Sequence, residues 1–573
     1  MRLQISKTKN AASFYVVKST YENGRHSSKI VEKLGTYEQL KEKLGDKDPY
    51  EWAKEYVAEL NRQEKEGKEP AVIAKYEPAR QIPKGKQFTR NGGYLFLERL
   101  YHELDLHTLC KQISRKHGFE FDLNSILSRL LYTRILYPGS KRNAFELSKQ
   151  FIDPPKFALH QIYRALDVLA AESDLIQTQL YQNSLKLSKR NSGVLYYDCT
   201  NYFFEIEEEE GELKRYGVSK EHRPNPIVQM GLFMDGDGIP LAFSIHPGNT
   251  NEQITLQPLE EKILSDFQLS KFIVCTDSGL SSDANRSFNT KGERSFITTQ
   301  SIKKLRAPLR EWALEKAGWR LCGDKQCYCI DQLDGVKDHK KVFYKRQTAE
   351  IGSLEQQLIV TYSPAYRDYQ RHIRERQITR ALKAIENGEA KLSKTNQNDY
   401  KRFISKTHCT GEGEVASKTV YSLNQQAIEQ EAAYDGFYAV CTNLSGDPAA
   451  IIRVNQRRWE IEECFRIMKS EFKARPVFLS LDERIKAHFM TCFLSLVLYR
   501  YLEKRLENKF SCHDIISTLR NMNFLHIEGS GYVPEYTRSD LTDALHGVFG
   551  FRTDFQIVTH KEMKKIRKIT KMN

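Results

Sequence analysis

Apolar positions along the chain recur in three rhythms, and the changes between them divide it. In residues 1–60 the run SFYVVKSTYENGRHSSKIVEKLG (13–35) alternates, with Glu22, Asn23 and Gly24 as a hairpin turn, so a small β-rich module is expected. Residues 61–93 are polar and carry Pro70, Pro78, Pro83, Gly85, Gly92 and Gly93, the composition of a linker. Between 94 and 189 apolar residues return every three or four positions, as in LFLERLYHELDL (95–106) and LNSILSRLLYTRILY (123–137), which predicts a helical domain. Strand patterns follow in residues 190–300: GVLYYDCTNYFF (193–204), IVQMGLFMD (227–235), IPLAFSIHPG (239–248), KFIVCTDSG (271–279) and RSFITTQ (294–300). The amphipathic stretch ITLQPLEEKILSDF (254–267) separates the third from the fourth. Three consecutive strands, a helical crossover and further strands predict an α/β fold with a sheet of mixed direction. Residues 301–445 hold the strand-like runs QLIVTYS, KTVYSLN and FYAVCTN and a charged helix from Tyr366 to Glu389. They read as a β-rich inserted domain, because the sheet has not yet received its last helix. That helix is expected in 446–480, with a helical C-terminal region over 481–573.

At 573 residues the chain exceeds one hydrophobic core, which supports several domains. Its 88 Lys and Arg against 74 Asp and Glu leave a formal charge of +14, which favours a polyanionic partner as readily as a merely solvated basic surface. The 11 cysteines are scattered and no leader-like segment opens the chain, so reduced thiols and a cytoplasmic location are expected. Cys322, Cys327 and Cys329 lack a paired C-x-x-C partner, which argues against zinc. The apolar run FMTCFLSLVLYRYL (489–502) is short and flanked by charge, the pattern of a buried core helix rather than a membrane span.

Candidate chemistry begins with Asp198 and Asp277, each standing where an apolar strand is about to emerge. In open α/β sheets ligands bind at that edge, though an Asp before Ser-Gly, as at Asp277, equally well caps a turn. Asp447 and Pro448 form a helix start and Pro476 a stop, so AAIIRVNQRRWEIEECFRIMKSEFKAR (449–475) is expected to be one long helix. At about 100° per residue, Arg458, Glu462 and Lys469 then share a stripe about 40° wide beside the apolar stripe of Ile461, Phe465, Met468 and Phe472. Three converging carboxylates suit two divalent ions about 3.5–4 Å apart, with Mg²⁺ or Mn²⁺ favoured by hard oxygen ligands. Arg458 and Lys469 would clamp phosphates. Trp459 is expected to pack at the helix–sheet boundary, and Lys220 and Arg223 in SKEHRPNP either contact DNA or belong to an ordinary polar loop. Arg134, Lys141 and Arg142 read as a solvated helix face, and the basic tail KEMKKIRKITKMN (561–573) as a frayed or phosphate-binding end.

At these residues the chain resembles the DDE transposases of bacterial insertion sequences, specifically superfamily four with its Y-x2-R-x3-E-x6-K signature. Here the signature reads N-QR-R-WEI-E-ECFRIM-K: Arg458, Glu462 and Lys469 match, and Asn455 stands where Tyr is expected. The segments YYDCTNYFFE (196–205), 217–255, FIVCTDSGLSS (272–282), ARPVF (474–478) and TRILYPGSK (133–141) are similar to the branch numbered sixteen-thirty-four. The resemblance implies an RNase H-like core with a β-rich insertion before the last helix, and Asp198, Asp277 and Glu462 as catalytic, metal-binding acids holding two Mg²⁺ ions. It further implies Arg458 and Lys469 on DNA, with Asn455 at the position of the signature Tyr but without its ring and hydroxyl, and cut-and-paste transposition at terminal inverted repeats into target DNA by a homodimer in the bacterial cytoplasm, associated with the nucleoid. A catalytically silent DNA-binding protein and an RNase H-like nuclease unrelated to mobile elements are the alternatives.

Overall fold

The computed structural model describes residues 1–573 except 9–10, 23–24, 46, 67–71, 73–78, 80, 388–398, 410–417 and 573. By contact density the chain divides into two units, residues 1–82 with 527–530, and residues 83–526 with 531–573. In the first, antiparallel strands β1 (Arg2–Lys7), β2 (Ala12–Glu22) and β3 (Arg25–Thr36) form a sheet followed by helices α1 (Tyr37–Leu44) and α2 (Pro49–Glu66). The expected turn at Asn23 and Gly24 lies outside the described residues. Phe14, Leu40 and Ala53 bring sheet and helices together in a small core. α2 runs into the stretch expected to be linker, because Asn61–Glu66 are helix-tolerant residues and proline does not intervene until Pro70.

The second unit opens with β4 (Thr89–Asn91), also inside the expected linker, and six helices: α3 (Tyr94–Glu103), α4 (Leu106–His117), α5 (Leu123–Leu136), α6 (Lys141–Ser148), α7 (Leu159–Ala171) and α8 (Ser173–Leu187). The sheet strands follow as β5 (Val194–Phe203), β6 (Ile227–Asp235) and β7 (Pro240–Pro247), then helix α9 (Leu256–Asp266), β8 (Ile273–Thr276), the short α10 (Asp283–Phe288) and β9 (Ser295–Thr299). Next come α11 (Ala307–Leu314), β10 (Trp319–Leu321), β11 (Cys327–Tyr328), β12 (Phe343–Ile351), β13 (Leu354–Tyr362), α12 (Pro364–Glu386), β14 (Ile404–Cys409), β15 (Lys418–Leu423), α13 (Gln425–Ala432) and β16 (Phe437–Thr442).

Ten strands make one mixed sheet in the order β11-β10-β12-β13-β16-β9-β8-β5-β6-β7. β5, β6 and β7 are antiparallel neighbours, whereas β8 runs parallel to β5 and β9 parallel to β8. Most strands of residues 301–445 therefore join this sheet instead of building one of their own. β16 pairs antiparallel with β9, and β13, β12, β10 and β11 extend outward from it, closing an edge that would otherwise expose unpaired backbone. β14 and β15 pair apart from this sheet.

After the sheet come α14 (Pro448–Gln456), α15 (Trp459–Arg466), α16 (Asp482–Arg505), α17 (Cys512–Asn521), α18 (Asp540–Phe549) and α19 (His560–Ile569). The single helix expected over 449–475 is broken. α14 ends in i+3-type contacts, with Arg457 N–H donating to Val454 O (3.2 Å) and Arg458 N–H to Asn455 O (3.1 Å), and α15 passes into a π-helical turn at Ile467–Glu471. Its predicted start holds: Asp447 accepts from Ala449 N–H at 3.1 Å, with Pro448 in the first turn. α16 is buried along most of its length, with Phe493 against Phe243 and Phe489 against Tyr202, both with ring centroids 4.9 Å apart. Among the described residues no helix is long and apolar enough to cross a membrane. The basic tail is a seated helix rather than a frayed end, because Met563 and Ile566 of α19 are buried and Arg567 reaches Asp153 at 2.6 Å.

Candidate functional site

Register brings the first two acids together. Along the parallel pair β5 and β8, Val194 faces Ile273, Leu195 faces Val274 and Tyr196 faces Cys275. Continuing that register by two residues sets Asp198 level with Asp277, on neighbouring strands whose backbones lie about 4.8 Å apart. Side chains two apart share a face of a sheet, so both carboxylates lie on the face of Tyr196 and Cys275. Helix α14 covers that face: Tyr196 Oη donates to Val454 O at 2.8 Å, and Cys275 Sγ lies 3.7 Å from Asn455 Oδ1. α15 follows it, packing Ile461, Cys464 and Phe465 into the same core.

Asp198 sits mid-strand, half-buried, accepting from Cys199 N–H at 2.8 Å. Burial pushes its carboxyl up to about 6, against the charge of Lys220, with Asp277 adding to the rise and the Cys199 amide and Arg458 opposing it. Asp277 ends β8 and, as the capping reading anticipates, accepts from Gly279 N–H (3.0 Å) and Leu280 N–H (3.1 Å) through one oxygen, Oδ1.

Glu462 lies on α15 with 57% of its side chain exposed, and its Oε1 meets Arg458 Nη1 at 3.1 Å. Burial disfavours the charge of Arg458, and Tyr438, Glu462, Asp198 and Asp277 together outweigh it, holding the guanidinium pKa above its ordinary value. One cation thus feels all three acids, although they come from β5, the end of β8 and α15. Lys469 is carried by the π-helical turn. Burial and the charge of Lys220 push it down to about 8, with Asp198 pulling the other way. Its Nζ stands 3.5 Å from Glu221 and 5.4 Å from the ring centre of Tyr202.

The other expected residues are placed as follows. Lys220 donates to Cys199 O and pairs with Glu252 at 3.0 Å, so it reaches the strand that carries Asp198. Arg223 is exposed and stacks on Phe203 at 4.1 Å. Asn455 is buried, and its Nδ2 donates to Tyr438 Oη at 3.1 Å. Trp459 is 61% exposed rather than packed, because the break at Arg457–Arg458 turns it away from the sheet. Arg134 and Lys141 are buried rather than solvated. Arg134 donates to Phe472 O (3.1 Å), Lys473 O (3.4 Å) and Gly139 O (3.1 Å), so it ties down the end of the segment that carries Glu462 and Lys469.

Four further residues belong to this region without having been singled out from the sequence. Arg475 pairs with the same Glu221 as Lys469. Tyr438 and Thr299 join their hydroxyls at 2.6 Å beside Asn455. The signals were slight: Arg475 stands in ARPVF, and Tyr438 is a polar-tipped aromatic on the inward parity of FYAVCTN. A cavity of about 340 Å³ is lined by Tyr366, Tyr438, Asn455, Arg458, Trp459 and Glu462, among others.

The donors suit a hard divalent cation in kind, and Asp198 and Asp277 in placement. Among the described residues, however, no three His, Cys, Asp or Glu side chains gather closely enough to hold one ion, since Glu462 is turned to Arg458.

The site is thus a mixed sheet with two aspartates level on adjacent parallel strands, Asp198 in mid-strand and Asp277 at a strand end, faced by a helix bearing an acid and cations. Residues 208–498, just over half of the chain, match the family model described as the transposase DDE domain, and the chain belongs to that family. Asp277, Glu462 and the signature residues lie inside the matched segment, and Asp198 shortly before it. Among solved structures, the chain is similar to a piggyBac transposase in a synaptic complex with hairpin DNA, at 8% identity and a TM-score of 0.36 over 82% of this chain and 86% of that one. It is also similar to Mos1 transposase in a paired-end complex with the left transposon end, at 13% identity and a TM-score of 0.13 over 44% and 68% of the two chains. No curated protein matches it.

Proposed function

We propose that this transposase cleaves DNA at the ends of its own mobile element and joins the freed 3′ hydroxyls to target DNA, using Asp198, Asp277 and Glu462 on an RNase H-like core. The strand order β7-β6-β5-β8-β9, an antiparallel meander followed by two parallel strands, supports that core. The observation that carries the reading is the level placement of Asp198 and Asp277 under the helix of Glu462, with Arg458 electrostatically tied to all three. Asp198 and Asp277 would hold Mg²⁺ or Mn²⁺ and Glu462 would complete the set once released from Arg458. When bound, such ions activate a water or DNA hydroxyl and stabilise the leaving oxygen.

The chain's own residues bind and orient the substrate. Arg458, released from Glu462, offers a bidentate fork to a phosphate beside the acids, and Lys469 and Arg475, released from Glu221, offer two more cations along the same helix end. Lys220 keeps positive charge close to Asp198, and Arg223 presents a guanidinium held flat on Phe203. Terminal inverted repeats as the recognised DNA, and a homodimer to pair two ends, are part of the same proposal.

The test is Mg²⁺-dependent nicking of a supercoiled plasmid that carries the DNA flanking this reading frame. Cleavage by the parent and its loss in Asp198→Ala, Asp277→Ala and Glu462→Ala support the proposal, and undiminished cutting by any of the three sinks it. The Arg458–Glu462 contact favours a second reading: a chain held in that arrangement binds DNA without cutting it, and DNA binding by a parent that never nicks would select it.

A further inference from the structure

Asn455 removes a phenol from the position where the signature carries one, and the structure sets another phenol beside it. Tyr438 arrives on β16, which pairs with β9 so that Val440 faces Thr299. The parallel register of β9 on β8, in which Cys275 faces Ile297 and Thr276 faces Thr298, continues to set Thr299 level with Asp277. Tyr438 Oη reaches Thr299 Oγ1 at 2.6 Å, so its hydroxyl stands on the face and near the level of the two aspartates. Asn455 Nδ2 donates to the phenol oxygen at 3.1 Å, while Asn455 Oδ1 lies 3.7 Å from the Cys275 thiol, which orients the amide. The phenol and the Thr299 hydroxyl share the contact between them, and either can donate. Tyr438 also lines the cavity with Arg458 and Glu462.

We infer that Tyr438 is a phosphate-contacting residue of this transposase and that Asn455 is its positioning residue. The amide holds the phenol oxygen so that the O–H can swing from Thr299 to a non-bridging oxygen of the phosphate that Arg458 binds. Asn455 then supports a phenol delivered from the neighbouring strand instead of leaving the signature one contact short. The inference rests on the DNA-cleaving reading above, and its failure is separable from the failure of that reading.

The experiment measures initial nicking rates of the same flank-bearing plasmid in Mg²⁺ for the full-length parent, Tyr438→Phe and Thr299→Val, with thermal unfolding of each. Losing one hydrogen bond to a charged phosphate oxygen should slow Tyr438→Phe by about 10- to 100-fold at an unfolding temperature close to the parent's. Thr299→Val withdraws the hydroxyl that competes for the phenol and should speed nicking by up to about fivefold. A purely structural hydroxyl network would instead make both variants slower and less stable together. A Tyr438→Phe rate equal to the parent's, or a Thr299→Val rate below it, overturns the assignment, and the second arm decides alone if Tyr438→Phe does not fold. A parent that fails to nick removes the cleavage reading itself.

Discussion

Arg458 Nη1 lies 3.1 Å from Glu462 Oε1 across one turn that spans the break between α14 and α15. An i, i+4 pair this exposed stabilises a helix by only about 0.2–0.5 kcal/mol, so its presence is poorly explained by stability. Glu462→Gln is therefore expected to leave thermal unfolding nearly unchanged while lowering Mg²⁺-dependent nicking by about a hundredfold or more. A nicking rate within a few-fold of the parent's would remove Glu462 from the site.

Asp198 carries a pH signature. Burial raises its carboxyl to about 6 in the fold, above the unfolded value of about 3.9, so the stability this group contributes is complete below about pH 4 and lost as pH rises through 6. At pH 7.5 without divalent metal, Asp198→Asn should raise the unfolding free energy by about 1–2 kcal/mol and flatten its slope between pH 4 and 6. Added Mg²⁺ should raise the unfolding temperature of the parent and not of Asp198→Asn. Equal Mg²⁺ responses in the two proteins would count against a carboxylate site at this strand.

Lys141 gives the opposite slope. It is buried against Thr491 Oγ1 at 3.3 Å, and burial, with the charge of Arg134 adding, pushes it down to about 7. The unfolded chain then binds more protons than the folded one between about pH 7 and 10, so stability should rise with pH across that window. Lys141→Met should shrink the rise and stabilise the protein by about 1–2 kcal/mol at pH 7, as read by denaturant unfolding at several pH values. A slope unchanged by the substitution would show that Lys141 is not its source.

Glu221 neutralises both Lys469 and Arg475. Glu221→Gln should bind a random duplex more tightly at low salt and steepen the dependence of log affinity on log salt by about 1–2, one step per freed cation. Fluorescence anisotropy over a salt series reads this directly, and a parental slope would mean that these cations do not meet the DNA.

Much of this was legible along the chain, for a common reason: the signals were local. Strand alternation from Val194 to Thr299, the crossover helix and the start at Asp447–Pro448 each depend on residues a few positions apart, and the spacing of Arg458, Glu462 and Lys469 survives as short-range geometry. The structure departs from local signals where long-range pairing overrides local propensity. Residues 301–445 look like a separate domain in one dimension, yet the open edge of β9 recruits β16 and the strands beyond it. The break at Arg457–Arg458 and the π turn at Ile467–Glu471 have no proline or glycine to announce them.

The sequence by itself determined the kind of elements, the three acids and the signature cations, because residue type and periodicity suffice for those. Only the tertiary structure decided that Asp198 and Asp277 stand level, since that is set by the register between strands nearly eighty residues apart in the chain. It also decided that Tyr438 stands beside Asn455, that Glu221 occupies Lys469 and Arg475, and that Arg134 and Lys141 are buried. Which charges meet depends on sheet pairing and on a bend in one helix, and neither is written in local spacing.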